Sequence, residues 1–170
     1  MSQKIILTGY MGVGKSTIGR HLAAKLQLTF IDLDSYIEEK YQLPISEIFQ
    51  TKGEIFFRKQ EHLALLELVD SPQSMIISLG GGTPCYANNH LLLQREDVAS
   101  FYLKSNVKEL VKRLQKSKKK RPLLQSVDDL YSFVGPHLLE RNYFYSFAKH
   151  TVNADRPIPV IVDELFHFLQ

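Results

Sequence analysis

Nine consecutive residues, Gly9-Tyr10-Met11-Gly12-Val13-Gly14-Lys15-Ser16-Thr17, carry the densest chemistry in the chain. Gly9 and Gly14 enclose four residues, and Lys15 and Ser16 follow, which fills the pattern G-x-x-x-x-G-K-[ST] of a phosphate-binding loop. Each residue type has a physical reason to be there. Glycines let successive backbone N–H groups converge on an anion without Cβ clashes, and the start of a following helix adds unpaired donors and a positive dipole end. Lys15 is a point charge for β- and γ-phosphates, and the Ser16 hydroxyl is a hard oxygen ligand suited to Mg²⁺. Gly12, Val13, Gly14, Lys15, Ser16 and Thr17 are therefore the candidate nucleotide-binding residues.

Three further groups lie downstream. Asp32 and Asp34 stand two residues apart at the end of the apolar run Thr29 to Leu33, so at a strand's period of two both carboxylates face the same way. The pair is then a candidate for metal and hydroxyl contacts beside the phosphate loop, although Asp34 also suits the cap of a helix beginning near Ser35. Arg58 and Glu61 are one helical turn apart, so the acid can orient the guanidinium, with Phe49 and Phe57 as an apolar wall. A surface ion pair over a Phe-rich core is the competing reading, and the spacing leaves both open. Gly80-Gly81-Gly82 ends the apolar run Met75 to Leu79, where a bound group can approach the backbone closely; an ordinary wide turn is the alternative.

These residues need elements to hold them. The apolar run Ile5 to Leu7 leads into the loop as a strand, and Ile18, Leu22, Ala23 and Leu26 give the segment after it one buried helical face. Strands are expected at Thr29 to Leu33, Met75 to Leu79, Val98 to Leu103 and Thr151 to Asn153. Helices fill most of the intervals, including Asn106 to Lys116, Asp128 to Tyr145 and Val160 to Phe168. Ser35 to Val69 is too long for one crossover helix and is interrupted at Leu43-Pro44 and Lys52-Gly53, which predicts a helical insert on the sheet edge.

A chain of 170 residues, 44% hydrophobic, fits one domain, and no stretch reaches the length of a membrane span. The N-terminus lacks a signal-peptide pattern, so a cytoplasmic protein is expected. The single cysteine, Cys85, excludes an internal disulfide and reads as a loop or packing residue. The six histidines show no metal-ligand spacing. Seven basic residues and no acid lie between Lys112 and Arg121, leaving 14 basic against 18 acidic residues elsewhere. The basicity is therefore local, and without interleaved aromatics the run does not point to nucleic acid.

The phosphate loop, Asp32-Leu33-Asp34, Gly53-Glu54 with Phe57-Arg58 and Glu61, and Gly80-Gly81-Gly82 together resemble the shikimate kinase family. Arg121-Pro122-Leu123-Leu124 and Arg141, followed four residues later by Tyr145, extend the resemblance over essentially the whole chain. It implies a P-loop three-layer α/β/α fold: a five-stranded parallel sheet in the order 2-3-1-4-5, a substrate-binding insert near 33–61 and a lid near 112–125, all in one domain spanning 1–170. It also implies transfer of the ATP γ-phosphate to the 3-hydroxyl of shikimate, with Mg²⁺ as cofactor on Ser16 and Asp32.

Under that resemblance Lys15, Asp34 and Arg121 are the catalytic residues. Arg121 contacts phosphates from the lid, and Pro159 belongs to the adenine loop. Asp34, Phe49, Phe57, Arg58, Gly80, Gly81, Gly82 and Arg141 hold the substrate, with Arg141 gripping its carboxylate. The expected partners are shikimate and ATP, with no nucleic acid or membrane, and the protein is expected to be a monomer. Two features depart from the family: Tyr143 stands where proline is common, and the lid is lysine-rich, leaving Arg113 and Lys116 both open as the residue on adenine. A gluconate or nucleoside monophosphate kinase, or a non-catalytic nucleotide-binding module, is the alternative.

Overall fold

Ile5, Ile6 and Leu7 have no solvent exposure, which is the environment of a central parallel strand covered on both faces. In the computed structural model, which describes residues 3–117 and 122–170, they form β1 (Lys4–Thr8). β1 pairs in parallel with β3 (Met75–Ser78) on one side and β4 (Val98–Lys104) on the other, Ile5 standing opposite both Ile76 and Ala99. β2 (Thr29–Asp32) extends the sheet beyond β3, and β5 (His150–Asn153) extends it beyond β4. The order is β2-β3-β1-β4-β5, all parallel, as expected.

Alternation along β1 divides the core into two layers. Ile5 and Leu7 face α1 (Lys15–Leu26), α5 (Val107–Ser117), α7 (Leu130–Tyr145) and α8 (Ile158–Phe168), packing with Leu22, Leu110, Val134 and Ile161. Ile6 faces the other way, onto Ile37 of α2 (Leu33–Tyr41) and Leu65 of α3 (Ile45–Asp70). Two short helices, α4 (Asn89–Leu92) and α6 (Pro122–Gln125), and a 3-10 turn at Thr83–Cys85 complete the described elements. Among the described residues no helix is long and apolar enough to cross a membrane.

Two differences from the sequence reading bear on the site. β2 ends at Asp32, and Leu33 already belongs to α2, so Asp34 lies in the first helical turn rather than on the strand. The cap is Asp32, whose Oδ1 accepts a hydrogen bond from Ser35 N at 3.1 Å. A carboxylate at strand end competes well for those orphan donors, and this ends the strand one residue earlier than the apolar run Thr29 to Leu33 implies. The insert is α2 with the first part of α3. Helix α3 turns a corner at Gly53 (φ 83, ψ 167) and continues to Asp70, so it belongs both to the insert and to the crossover that covers the sheet.

Candidate active site

All five strands run in parallel, so the connections leaving β1, β2 and β3 gather at one edge of the sheet, where the chain switches direction about β1. The loop from Gly9 to Gly14 lies there. Gly9 (φ 149) passes so close to β4 that a Cβ on it would stand 2.6 Å from Leu103 O, a backbone contact no other residue can make. Lys15 is buried at the first position of α1, and its Nζ donates to Gly9 O at 2.7 Å and Tyr10 O at 3.0 Å. The loop's own carbonyls thus hold the ammonium over the phosphate-binding concavity. Gly12, Gly14, Lys15, Ser16 and Thr17 line a cavity of about 490 Å³. Val13 is buried and does not line it.

Asp32 and Asp34 line the same cavity even though only one is on the strand. Ser16 Oγ donates to Asp32 Oδ2 at 2.6 Å, so a hydroxyl and a carboxylate oxygen are adjacent at the start of α1. Such hard oxygens suit Mg²⁺, which takes one or two protein ligands and fills its octahedron with water and phosphate oxygens. Burial pushes Asp34 up to about 6, the Asp32 and Glu61 carboxylates add to the shift, and Lys15 opposes it. A carboxylate so placed sits close to neutrality, in the range useful for moving a proton.

Gly80 and Gly81 line this cavity, and the triplet also lies against Arg141 and Arg58, which line a second one. A Cβ on Gly80 would lie 3.0 Å from Asp34 Oδ1, one on Gly81 3.3 Å from Arg141 Nη1, and one on Gly82 3.1 Å from Arg58 Nη2. Three candidate side chains from α2, α7 and α3 thus converge on three successive glycines. Gly81 would also approach Met11 N of the phosphate loop at 3.2 Å. Beyond them opens a cavity of about 880 Å³ lined by Phe49, Arg58, Tyr86, His137 and Arg141, among others. A planar cation on each side and a carboxylate at the junction suit an acceptor carrying one carboxylate and several hydroxyls.

Arg58 is firmly held. Its Nη1 donates to Glu61 Oε1 at 2.8 Å, and Glu61 is only 1% exposed, so the pair is not on the surface. The second Glu61 oxygen accepts from Thr83 Oγ1 at 2.8 Å, tying α3 to the turn after the glycines. The guanidinium also lies 3.9 Å from the centroid of the Tyr86 ring. On α7, Tyr145 Oη donates to Gly81 O at 2.5 Å, so the helix bearing Arg141 is bonded to the triplet itself.

The remaining sequence candidates fall as follows. Phe49 lines the cavity of about 880 Å³, whereas Phe57 is buried in the core, its ring centroid 4.6 Å from that of Phe49. Pro159 is exposed near the start of α8; its neighbour Ile158, with Val13, Arg113 and Arg156, lines a cavity of about 290 Å³ beside the phosphate loop. Arg113 bridges that region, donating to Val13 O at 2.8 Å and Ala154 O at 3.0 Å. Arg121 lies outside the described residues, as does part of the expected lid; 112–117 ends α5 and 122–125 is α6. Cys85 is half-buried, its thiol pushed up by burial against the opposing effect of Arg141 and Arg58.

Tyr86, Thr83 and His137 carried no signal in the sequence. Nothing in their local pattern distinguishes them from turn or helix-face residues. Tyr145 differs from them: the sequence already marks it, one helical turn after Arg141.

Residues 11–170 match the shikimate kinase family profile. A relative named shikimate kinase from Flavobacterium psychrophilum is 50% identical over 167 residues, covering 97% of each chain. The solved shikimate kinase of Bacteroides thetaiotaomicron superimposes with a TM-score of 0.92 at 37% identity, covering 98% of each chain. A shikimate kinase from Acinetobacter baumannii, solved in complex with shikimate, superimposes with a TM-score of 0.86 at 32% identity, covering 100% of this chain and 92% of its own.

Proposed function

This chain belongs to the shikimate kinase family, whose members are ATP-dependent phosphotransferases, and we propose how its residues divide the work of moving the ATP γ-phosphoryl group to the 3-hydroxyl of shikimate. The observation that carries the proposal is the convergence of Asp34, Arg141 and Arg58 on Gly80, Gly81 and Gly82, directly beside the phosphate loop. Gly80 and Gly81 line the donor cavity, and Arg58 and Arg141 of the acceptor cavity lie against Gly82 and Gly81.

The acceptor's carboxylate is gripped by Arg58 and Arg141, whose planar forks match it in a way a lysine does not. Asp34 accepts a hydrogen bond from the 3-hydroxyl. As that oxygen forms its bond to the γ-phosphorus, the bond from phosphorus to the β,γ-bridging oxygen breaks, ADP leaves, and the hydroxyl proton passes to the Asp34 carboxylate. Lys15 and the backbone donors of Gly12, Val13, Gly14, Ser16 and Thr17 hold the phosphates and stabilise the charge that spreads onto the transferring group. Ser16 and Asp32 would hold Mg²⁺, which neutralises phosphate charge when bound. The resemblance gives Arg121 a phosphate contact and puts Pro159 in the adenine loop. Both halves of the site come from one chain, which favours a monomer, and the reading keeps the enzyme in the cytoplasm with no nucleic acid partner.

ADP release is the test, with shikimate, gluconate and nucleoside monophosphates offered in turn to purified protein with ATP and Mg²⁺. Turnover is expected with shikimate. A faster rate with either of the other acceptors would overturn the assignment.

A further inference from the structure

Tyr10 is the second residue of the phosphate loop, and only 1% of it is exposed. Its carbonyl accepts from Lys15 Nζ at 3.0 Å and from Val13 N at 3.3 Å, so its backbone is part of the phosphate cradle. Its side chain points away from the loop to α7, where Oη lies 2.8 Å from His137 Nδ1. The rings meet edge to face, 5.5 Å apart at 84°. His137 lines the acceptor cavity, and one turn later the same helix carries Arg141. A continuous path therefore runs from the lysine of the donor half to the arginine of the acceptor half.

The direction of the bond follows from the chemistry. Burial pushes the Tyr10 hydroxyl up to about 12, so it keeps its proton, and a buried hydroxyl must donate that proton somewhere. Burial and the neighbouring Arg141 push His137 down, with Glu140 opposing, so the imidazole is neutral at physiological pH. Nδ1 is then the acceptor and Nε2 carries the ring's hydrogen.

Helix α7 has reason to need such a tether. Gly135 and Pro136 immediately precede His137; one is a poor helix former and the other removes an internal hydrogen bond, so the helix is weakest just before the residue that is tied down. We propose that His137 is a positioning residue which, through Tyr10, fixes the Arg141 helix against the phosphate loop and so sets the distance across which the phosphoryl group passes. The inference rests on Arg141 holding the acceptor. Phosphoryl transfer depends on reactant placement, so a small displacement of that helix is costly.

A variant cycle tests it, using turnover of ATP with shikimate by wild type, Tyr10→Phe, His137→Leu, the double variant and His137→Asn. Each of the first two single variants is expected to lower kcat/KM for shikimate about tenfold while KM for ATP stays within about twofold. The double variant should lose no more than the worse single, because both remove one bond. Asn places a carbonyl oxygen where Nδ1 was, and should restore most of the rate that Leu loses. Multiplied losses in the double variant, or an Asn variant no better than Leu, would overturn the positioning role. Nitrogen-15 NMR of the imidazole gives a readout without an acceptor: the wild type should show the Nε2–H tautomer and Tyr10→Phe a mixture, and a wild type in the Nδ1–H form refutes the bond. Wild type that ignores shikimate but phosphorylates another acceptor would overturn the acceptor assignment alone, and the same cycle on that acceptor then decides the tether.

Discussion

Asp34→Asn should make the protein more stable while stopping its chemistry. Asp34 is moved from an ordinary value of 3.8 up to about 6, chiefly by burial and by the Asp32 and Glu61 carboxylates. Two units at about 1.4 kcal/mol each make about 3 kcal/mol that the folded state spends to keep this group ionised at neutral pH. At roughly 2–4 °C per kcal/mol for a domain of this size, the asparagine variant should melt about 5–10 °C higher at pH 7, some of the gain being lost because the amide needs partners of its own. The gain must also depend on pH. The folded form holds this proton more tightly than the unfolded form, so the wild type is relatively most stable below about pH 4 and loses stability as pH rises through about 6. The variant lacks that slope. Thermal unfolding of both proteins between about pH 4 and pH 8 would therefore show curves that meet at the acid end, separate through the middle and run parallel above. An advantage of equal size at pH 4, or none at pH 7, would refute the reasoning, since the effect would then not come from ionisation. Turnover by the variant should fall by on the order of a hundredfold.

Four other perturbations isolate other parts of the site. Glu61→Ala leaves Arg58 and the buried Thr83 hydroxyl short of a partner; with Glu54 3.6 Å from Arg58 Nε as a partial substitute, a loss of about 2–3 kcal/mol is expected by chemical denaturation, together with a raised KM for shikimate. Unchanged stability would mean the network is loose in solution. Arg58→Lys keeps charge but loses the fork, so steady-state kinetics should show KM for shikimate rising several-fold with KM for ATP within about twofold; equal changes in both would make Arg58 a structural residue. Lys15→Ala should lower turnover on the order of a hundredfold or more, and near wild-type turnover would remove its assigned role. Asp32→Asn retains an oxygen to cap α2 but loses the charge beside Ser16, so the Mg²⁺ concentration for half-maximal rate should rise about tenfold at unchanged fold stability; an unmoved Mg²⁺ dependence would argue that Asp32 acts only as a cap.

Local chemistry was legible wherever a function is carried by neighbours in sequence. The phosphate loop needs its glycines, lysine and serine at fixed offsets because one turn and one helix start must present them together, so those residues announce the site on their own. The strands could be read because a parallel sheet buries both faces and leaves continuous apolar runs such as Ile5 to Leu7. Even the corner in α3 was visible, since Gly53 takes a conformation that other residues rarely adopt. The position of Asp34 was read for an incomplete reason. The two carboxylates do face one cavity, but Asp34 gets there from the first turn of α2, because Asp32 takes the cap and ends the strand.

Contacts between residues far apart in the chain were beyond the sequence. Tyr10 and His137 are separated by 127 positions, Tyr145 and Gly81 by 64, and Thr83 and Glu61 by 22. Such pairs have no periodicity or motif, because their partnership depends on which helix packs over which strand end. The ring of Tyr86 beneath Arg58 and the burial of Phe57 below the cavity are of the same kind. The sequence alone determined that a phosphate is held and resembled a family closely enough to suggest the acceptor. Only the tertiary structure decided how Asp34, Arg58 and Arg141, from three different helices, come to meet at three glycines beside that phosphate. The physical reason is that backbone propensity acts over a few residues, whereas a two-substrate site is made by packing.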